Sequence, residues 1–350
     1  MPTKTQTRRG IVAGGLASIA ACALPACTSK SVAKDVPTDR TKGSNGETMN
    51  TRTSTETFQA IAQIVAPSEK HWVGNGFHVS TIFSPYVVDA QTLSPFVLLD
   101  HAAPKSFAST TQPRGVGEHP HRGFETVTFA YQGEVAHRDS HGGGGTIGSG
   151  DVQWMTAASG VVHEEFHSKT FTESGGIFEM VQLWVNLPAS QKMSAPRYQQ
   201  LVGSTFPKLE MGNAQGRLIA GSLFGKQGPA KTHSPITMFD LEFFEDGETS
   251  FELSKGTTTL LFMLGGDATV QDGQKVGSGE LVVFDRSTEG RIRLTAATGA
   301  RALILNGEPL GEPVVAHGPF VMNTKDEIVQ AMRDFQDGKM GQLQPKESEV

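Results

Sequence analysis

Two short segments of the sequence each place metal-binding side chains two residues apart. The first contains His119 and His121, and the second contains His163 and Glu165. In an extended strand, residues i and i+2 point to the same face, so two such pairs on neighbouring strands would direct all four side chains to one point. Imidazole and carboxylate together suit iron, manganese, nickel, copper or zinc better than calcium or magnesium. The pattern therefore predicts one transition-metal site between two strands.

The sequence after Phe58 is typical of an all-β protein. Short apolar runs alternate with Gly, Pro, Asp and Asn, and the chain has 40 glycines. Such spacing favours a β-sandwich or barrel. The strand-like runs are residues 96–99, 125–131, 178–185, 237–244, 258–264, 280–284 and 302–305.

One helix is predicted near the end of the chain. Thr324 can cap it, Asp326 and Glu327 fall in its first turn, and Gly338 would stop it. Apolar residues recur at helical spacing between these limits. They are Ile328, Met332 and Phe335.

A weak internal repeat predicts two copies of one β unit. Residues 129–134 (FAYQGE) are echoed by 262–267 (FMLGGD), and 148–151 (GSGD) by 277–280 (GSGE). The order is the same in both copies, as in a duplicated fold. Glu252 and Ser254 stand in the second copy where the first has His119 and His121. We expect metal in the first copy alone.

The strand that carries the first histidine pair raises the question of which carboxylate joins it. Pro120 cannot donate to a central ladder and belongs at a strand entry or edge. Odd-numbered positions over residues 119–131 would share one face, which predicts Glu125 in the same interior. Glu125 lies four residues beyond His121 and could therefore reach the same interior as Glu165. We prefer Glu165 and keep Glu125 as a supporting partner.

Three other histidines receive simpler interpretations. His137 and His141 are expected in a loop, the latter beside the glycine run at residues 142–145. His167 continues the inward row but is expected to be structural. The glycine run lacks the Lys-Ser/Thr pair and following helix of a phosphate loop.

The first 27 residues are typical of an export signal. Lys4, Arg8 and Arg9 precede an apolar stretch, and residues 24–27 (LPAC) have the form of a lipoprotein cleavage box. We expect cleavage before Cys27 and lipid attachment to it; the alternative is an ordinary signal peptide cut at Ala21 or Ala26. The arginine pair leaves both the Sec and the twin-arginine route open.

The rest of the composition fits an exported domain on a tether. Residues 28–57 are polar and small and cannot bury a core, so they predict a flexible linker. The two cysteines, Cys22 and Cys27, both lie in the signal region, so the mature body has none to pair. The net charge of −6 and the lack of a basic stripe argue against nucleic acid.

Several segments together resemble the pirin family of the cupin superfamily, which are double-sheet jelly rolls. Around the metal pattern they are residues 119–128 (HPHRGFETVT), 150–157 (GDVQWMTA) and 160–165 (GVVHEE). Further matches are residues 95–101, 182–188, 195–199 and 306–324. The likeness runs from about residue 60 to residue 341.

The resemblance implies two cupin barrels packed together, with one metal in the N-terminal barrel and a C-terminal helix. On this pattern, residues 58–200 form the metal-binding cupin domain, 201–322 a cupin domain without metal, and 323–350 the helix and tail. The implied ligands are His119, His121, His163 and Glu165. Because the wider cupin pattern places a glutamate near residue 125, Glu125 is the rival of Glu165 as the carboxylate ligand. The implied metal is one divalent transition ion, Fe(II) first, with Mn, Ni, Cu and Zn as alternatives.

The resemblance also implies two candidate functions. Several bacterial relatives are described as quercetin 2,3-dioxygenases, which predicts an enzyme that opens a flavonol-like aromatic substrate with O2, with Glu165 or Glu125 accepting the substrate proton. A nuclear relative acts as a transcriptional co-regulator, which suggests instead a non-enzymatic redox-sensing or interaction module in the cell envelope. We expect an exported, periplasmic or envelope-anchored monomer that meets the membrane only through lipid on Cys27.

The chain departs from the family pattern near the expected mouth of the barrel. Residues 115–118 (GVGE) replace a segment that usually carries phenylalanine and prolines, and Phe166-His167 stands where Met-Pro is common. The glycine run at residues 142–145 is also unusual. These departures affect the choice of substrate more than metal binding.

Overall fold

Strands make up 51% of the structure and helices 10%. The computed structural model describes residues 56–271 and 273–345. The predicted signal peptide with Cys27, and all but the last two residues of the predicted linker, lie outside the described residues.

The elements of the first half are mostly antiparallel strands with two short helices. They are β1 (Ile61–Val65), β2 (His71–Val73), β3 (Phe77–Phe83), α1 (Ala90–Leu93), β4 (Phe96–Phe107), β5 (Gly115–His121), β6 (Phe124–Gln132), β7 (Val135–Asp139), β8 (Gly144–Ile147), β9 (Val152–Thr156), β10 (Val161–His167), α2 (Lys169–Ser174), β11 (Gly176–Asn186) and β12 (Arg197–Leu201). Short 3-10 turns follow at Ala189–Gln191 and Gly203–Thr205.

The second half repeats this pattern and ends in a longer helix. Its elements are β13 (Lys208–Met211), β14 (Ala214–Ala220), β15 (Ser222–Leu223), β16 (Lys226–Gln227), β17 (Ile236–Phe243), β18 (Gly247–Phe251), β19 (Thr258–Gly265), β20 (Ala268–Val270), β21 (Gln274–Val276), β22 (Leu281–Phe284), β23 (Ile292–Ala296), β24 (Arg301–Gly307), β25 (Val315–His317), β26 (Phe320–Met322) and α3 (Lys325–Gln336).

Each half pairs one seven-stranded sheet with one four-stranded sheet. In the first half the orders are β12-β9-β6-β11-β4-β3-β2 and β5-β10-β7-β8. In the second they are β1-β22-β19-β24-β17-β14-β13 and β18-β23-β20-β21. The prediction of an all-β protein with two barrels and a C-terminal helix is confirmed.

The two barrels exchange their terminal segments. Strand β1 pairs with β22, so it belongs to the second barrel although it falls within the predicted N-terminal range 58–200. The hairpin of β25 and β26 returns to the first barrel, where Phe320 bridges Arg122. The sequence order predicted β1 in the first barrel and the β25–β26 hairpin in the second. Backbone pairing instead places β1 in the second barrel and the hairpin against the first.

The main apolar core lies between the barrels. Val127 and Phe129 of β6 share one buried cluster with Phe262 and Leu264 of β19. Side chains on one face of each large sheet therefore pack against the other barrel, and the opposite face of each sheet lines its own barrel.

The interiors of the two barrels differ in polarity. The repeat aligns Thr128 and Gln153 of the first barrel with Leu261 and Val282 of the second. Both pairs are fully buried, but the latter lies in an apolar cluster that fills the second barrel. Because buried polar groups need partners, the polar pair points to a site inside the first barrel.

Helix α3 forms as the sequence predicts. Thr324 caps it, and the Glu327 side chain accepts from the Thr324 amide in a full capping box. Ile328 and Ala331 bury one face against Phe320 of the hairpin. Within residues 56–271 and 273–345, no helix has the length and apolar character needed to span a bilayer.

Candidate metal centre

Strands β5 and β10 bring three predicted ligands together. The two strands are antiparallel, and His163 lies directly opposite His119. The ring centroids of His119, His121 and His163 are 4.2–4.8 Å apart. One ring nitrogen of each lies within 4.8 Å of the other two. Since β5 is the edge strand of its sheet, Pro120 interrupts no central ladder.

The outward ring nitrogens of two of these histidines are occupied by backbone oxygens. His119 Nδ1 is 2.8 Å from Gly117 O, and His121 Nδ1 is 3.3 Å from Pro319 O. A carbonyl can only accept, so each Nδ1 carries the proton and each Nε2 presents a lone pair. His163 Nε2 is buried and has no hydrogen-bond partner. These are the conditions a metal ion requires of neutral imidazole ligands.

The electrostatics of the three rings favour the neutral form. Burial lowers the pKa of His119, and it lowers the pKa of His121 and His163 well below the usual value. Each ring also lies near other imidazoles, whose charges would repel its own. The cluster is therefore uncharged near neutral pH and ready to accept a cation.

Glu165, the fourth predicted ligand, stands beside the trio. A bulge between His163 and Glu165 shifts the pairing so that Glu165 lies opposite Val116. One carboxylate oxygen is grouped within 4.8 Å of ring nitrogens of His163 and His137, but Glu165 does not join His119 and His121 at that distance.

The side-chain amides of buried Gln153 and partly buried Gln182 hold the Glu165 carboxylate in this position. Gln153 Nε2 donates to Oε1 over 2.7 Å, and Gln182 Nε2 lies 3.3 Å from Oε2. Thr128 Oγ1, at 3.4 Å, completes the surroundings. The polar side chains inside the first barrel thus surround the carboxylate of Glu165.

His137 is a site residue that the sequence interpretation missed. It lies on β7 opposite Glu165, not in a loop. Its Nδ1 is 3.2 Å from His163 Nδ1, and its Nε2 is 3.3 Å from Asp139 Oδ2. The sequence did contain a signal for this strand, because Val135, His137 and Asp139 alternate with less buried residues at every second position. The glycines that flank the short strand obscured this alternation.

Asp139 is fixed by the loop that contains the glycine run. Its Oδ1 accepts from the amides of His141 and Gly143, each over 2.9 Å. Burial alone would raise the pKa of Asp139, but the hydrogen bonds from His137 and these two amides lower it. A Cβ atom at Gly143 would lie 2.4 Å from Asp139 Oδ2. Residue 143 must therefore be glycine for its backbone to come this close to the Asp139 carboxylate.

Glu125 is not brought to the cluster. Residues 122 and 123 separate β5 from β6, and Gly123 has a φ of +88°, so the inward parity changes from odd to even. Glu125 consequently faces the second barrel with Val127 and Phe129, and the prediction that these odd positions line the interior is wrong.

The surroundings of Glu125 are those of an interface carboxyl. Thr156 Oγ1 donates to it over 2.7 Å, and His233 Nε2 of the second barrel is 4.0 Å away. Burial raises the pKa of Glu125 to about 7.

The remaining histidines near the barrel have structural contacts. His167 packs beside Phe107 and Phe178, and its Nε2 is 3.0 Å from Gly76 O. His141 Nε2 is 3.1 Å from Gly160 O. Neither joins the cluster.

The C-terminal segment supports the histidine cluster from outside the barrel. Besides the Pro319 carbonyl on His121, the Val321 amide donates to Arg122 O. Lys192, buried to 1% exposure, donates to Gly123 O and Val321 O over 2.8 and 2.9 Å. The hairpin that precedes α3 therefore positions the strand break beside His121.

Two cavities lie beside His137 and Asp139, and none of the four predicted ligands lines either of them. The larger, about 380 Å³, is lined by Thr111, Pro113, Ala136, His137, Arg138, Glu164, Phe166, His167, Lys169, Thr172 and Glu173. The smaller, about 300 Å³, is lined by Asp139, His141, Gly142, Gly143, Gly144, Met155, Pro196, Arg197 and Tyr198. Both are near the lower end of the size of small-molecule sites.

Comparison with known proteins identifies the family. The Pirin family model matches residues 76–185, and the model of the pirin C-terminal cupin domain matches residues 238–341. The chain belongs to the pirin family. Human pirin is 34% identical over 257 residues, which cover 72% of this chain and 85% of human pirin.

Two bacterial pirin relatives are more similar. A Pseudomonas aeruginosa protein, provisionally named a quercetin 2,3-dioxygenase, is 49% identical over 284 residues, or 81% of this chain and 98% of that protein. The crystal structure of a quercetin 2,3-dioxygenase from Acinetobacter baumannii is 46% identical, covers 82% of this chain and 100% of its own, and superposes with a TM-score of 0.79.

The two matched pirin domains both contribute to the site. His119, His121, His163 and Glu165 lie within residues 76–185, and Pro319 lies within residues 238–341. The cluster is therefore built by the first matched segment, and the β25–β26 hairpin of the second matched segment contacts it through Pro319.

Proposed function

We propose that this pirin is a metal-dependent dioxygenase of the quercetin 2,3-dioxygenase type. The observation that carries the proposal is the convergence of three neutral imidazoles whose Nε2 atoms are free, with His163 Nε2 buried and unpartnered. An unpaired buried polar atom is unfavourable unless something binds it. The names of the two bacterial relatives suggest the reaction.

The residues present fit a divalent transition metal. His119, His121 and His163 would hold it, with Glu165 as the fourth ligand, and iron is the first choice ahead of manganese, nickel, copper and zinc. When bound, the ion supplies Lewis-acid and redox chemistry to a flavonol and O2. One flavonol and one O2 would give the ring-opened ester and carbon monoxide, as the family reaction implies.

Glu165 is placed to handle the substrate proton. Its carboxylate is held beside the trio by Gln153 and Gln182, so it can accept the proton of a flavonol 3-hydroxyl bound there. Glu125 is excluded from this role because it faces the other barrel.

The direct test is turnover with a matched histidine control. The purified protein, reconstituted separately with each of the five metals, should consume O2 and quercetin and release carbon monoxide. His121→Ala should lose this activity, whereas His71→Ala, at an exposed position on β2, should retain it. Loss in both variants, or turnover in His121→Ala, would contradict the proposal.

A metal-loaded protein without turnover would favour the alternative. If the wild type binds one metal per chain but converts no flavonol with any of the five metals, the enzyme proposal fails. Proteins recovered from envelope membranes with the metal-loaded form, and lost after chelation, would then support an interaction module.

We also propose that the protein is a cell-envelope lipoprotein anchored at Cys27. The support is the LPAC segment that follows the apolar stretch. Export would keep the metal site away from nucleic acid.

A further inference from the structure

Three buried side chains form a continuous hydrogen-bonded row that ends at the histidine cluster. Asp139 Oδ2 is 3.3 Å from His137 Nε2, and His137 Nδ1 is 3.2 Å from His163 Nδ1. Their exposed fractions are 8%, 4% and 0%. Strand register fixes the row, since β10 lies between β7 and β5 and has His163 opposite Asp139 on one side and His119 on the other.

The chemistry of Asp139 determines where each proton in the row resides. A carboxylate only accepts, and its other oxygen already accepts from two backbone amides. His137 must therefore donate from Nε2, which leaves its Nδ1 as an acceptor. His163 must then donate from Nδ1, so its free lone pair lies on Nε2, the atom that lacks a partner in the structure.

We propose that Asp139 and His137 are positioning residues that fix the tautomer and ring orientation of His163 and increase its strength as a ligand. The inference rests on the proposed function in assuming that His163 binds a metal. Carboxylate–histidine–metal arrangements act in this way, and here a second histidine extends the arrangement by one member. The row places His137 beside the metal site as a partner, not as a ligand.

Two contacts restrict the movement of the side chains in this row. The ring of His137 stacks on Tyr198, with centroids 5.0 Å apart and planes inclined by 12°. The glycine run supplies the Gly143 amide, and only glycine can approach Asp139 so closely. The row thus accounts for Gly143 within a glycine run that has no phosphate-binding role.

The same atoms permit one competing arrangement. His137, His163 and Glu165 also form a group with ligand atoms within 4.8 Å. In that arrangement His137 would itself be a ligand and His163 would bind through Nδ1. His137 is protonated at Nε2 in both arrangements, but His163 is protonated at Nδ1 in the row and at Nε2 in the alternative, so the two can be separated.

The first measurement is the protonation of the ring nitrogens in the purified wild type. Two-dimensional 15N–1H correlation spectra, recorded without metal and with Zn²⁺ alone, should show His137 protonated at Nε2 and His163 at Nδ1. His137→Phe and Asp139→Asn provide the assignments. Protonation of His163 at Nε2, or Zn²⁺ bound to His137, would overturn the proposal.

The second measurement is Zn²⁺ affinity by competition with a chelator. His137→Phe, which keeps the stacking on Tyr198, should weaken binding about 10–100-fold, the usual loss for an outer partner of a ligand. His137→Asn can still accept from His163 and should recover part of the loss. Equal affinity of His137→Phe and the wild type would overturn the proposal.

The glycine loop provides a matched pair of variants. Gly143→Ala should displace Asp139 and weaken Zn²⁺ binding in the same direction as Asp139→Asn. Gly148→Ala, in the turn that follows β8 and with no atom closer than 3.9 Å to its Cβ, should not. A wild type that binds none of the five metals would contradict the proposed function, whereas a metal-binding wild type with unaffected row variants would contradict the row alone.

Discussion

Arg122 Nη1 donates to Asp334 Oδ2 over 2.8 Å, and this pair ties the residue after His121 to the C-terminal helix. Arg122 is 4% exposed, and its Nε donates to Ser159 O over 2.7 Å. The contact joins parts of the chain that are 212 residues apart. Since Pro319 in the same segment contacts His121, the C-terminal segment and the metal site should lose order together.

The first prediction concerns this ion pair. Asp334→Asn leaves a buried guanidinium without its charge partner and should lower the free energy of unfolding by about 2–3 kcal/mol, somewhat below the usual 3–5 because Asp334 is partly exposed. Metal affinity should fall as well. Urea unfolding and chelator competition measure the two effects.

Asp337→Asn is the control for this variant. Its side chain is 59% exposed and pairs with Lys339 alone in the described contacts, so the expected loss is below about 1 kcal/mol. Equal effects of the two substitutions would show that Arg122 gains nothing from Asp334.

The second prediction concerns Glu165. If its carboxylate is the fourth ligand, Glu165→Gln should lower metal affinity by more than the about 10–100-fold expected of an outer partner. The neutral amide can still contact its neighbours Gln153 and Gln182, so folding should change little. A loss of metal affinity smaller than that of His137→Phe would mean that the Glu165 carboxylate remains hydrogen-bonded to Gln153 and Gln182 when metal binds and is not a ligand.

The third prediction follows from the raised pKa of Glu125. Between its unfolded value of 4.5 and its folded value of about 7, the folded protein holds a proton that the unfolded chain releases. The contribution of this group to the free energy of unfolding therefore falls as pH rises from 4.5 to 7, and it remains low above 7.

Glu125→Gln should remove this pH-dependent loss of stability, because the glutamine amide does not titrate. Relative to the wild type, the variant should be more stable by about 1–3 kcal/mol at pH 8 and nearly equal at pH 4.5. Urea unfolding at both pH values measures the difference, with Glu252→Gln, at an exposed position, as the control. The same difference at both pH values would contradict a buried, protonated carboxyl.

The fourth prediction concerns the anchor. Cells that express the wild type with radiolabelled palmitate should yield a labelled membrane protein, and Cys27→Ser should abolish the label. Cys22→Ser, within the expected signal peptide, is the matched control. Label that survives Cys27→Ser would contradict the anchor.

Local periodicity was enough to predict the all-β class, the capped helix and the strand pairs that carry the histidines. Alternation within one strand is decided by neighbouring residues, which the sequence displays directly. Thr324 and Glu327, for example, form the capping box that their spacing suggests.

Features that depend on breaks and distant contacts could not be predicted in this way. Gly123 reverses the parity between β5 and β6, which turns the Glu125 side chain toward the second barrel. The short strand of His137 was hidden by flanking glycines, and the Pro319 contact with His121 joins residues 198 positions apart. None of these follows from periodicity, because each depends on where the chain turns or returns.

The most direct test of the central claim is metal content and coordination in the freshly purified protein. Elemental analysis with X-ray absorption at the metal edge should find one transition-metal ion per chain, bound by three imidazoles, and His121→Ala should lose it. A wild type without metal after reconstitution, or a spectrum with fewer than three imidazole ligands, would contradict the account.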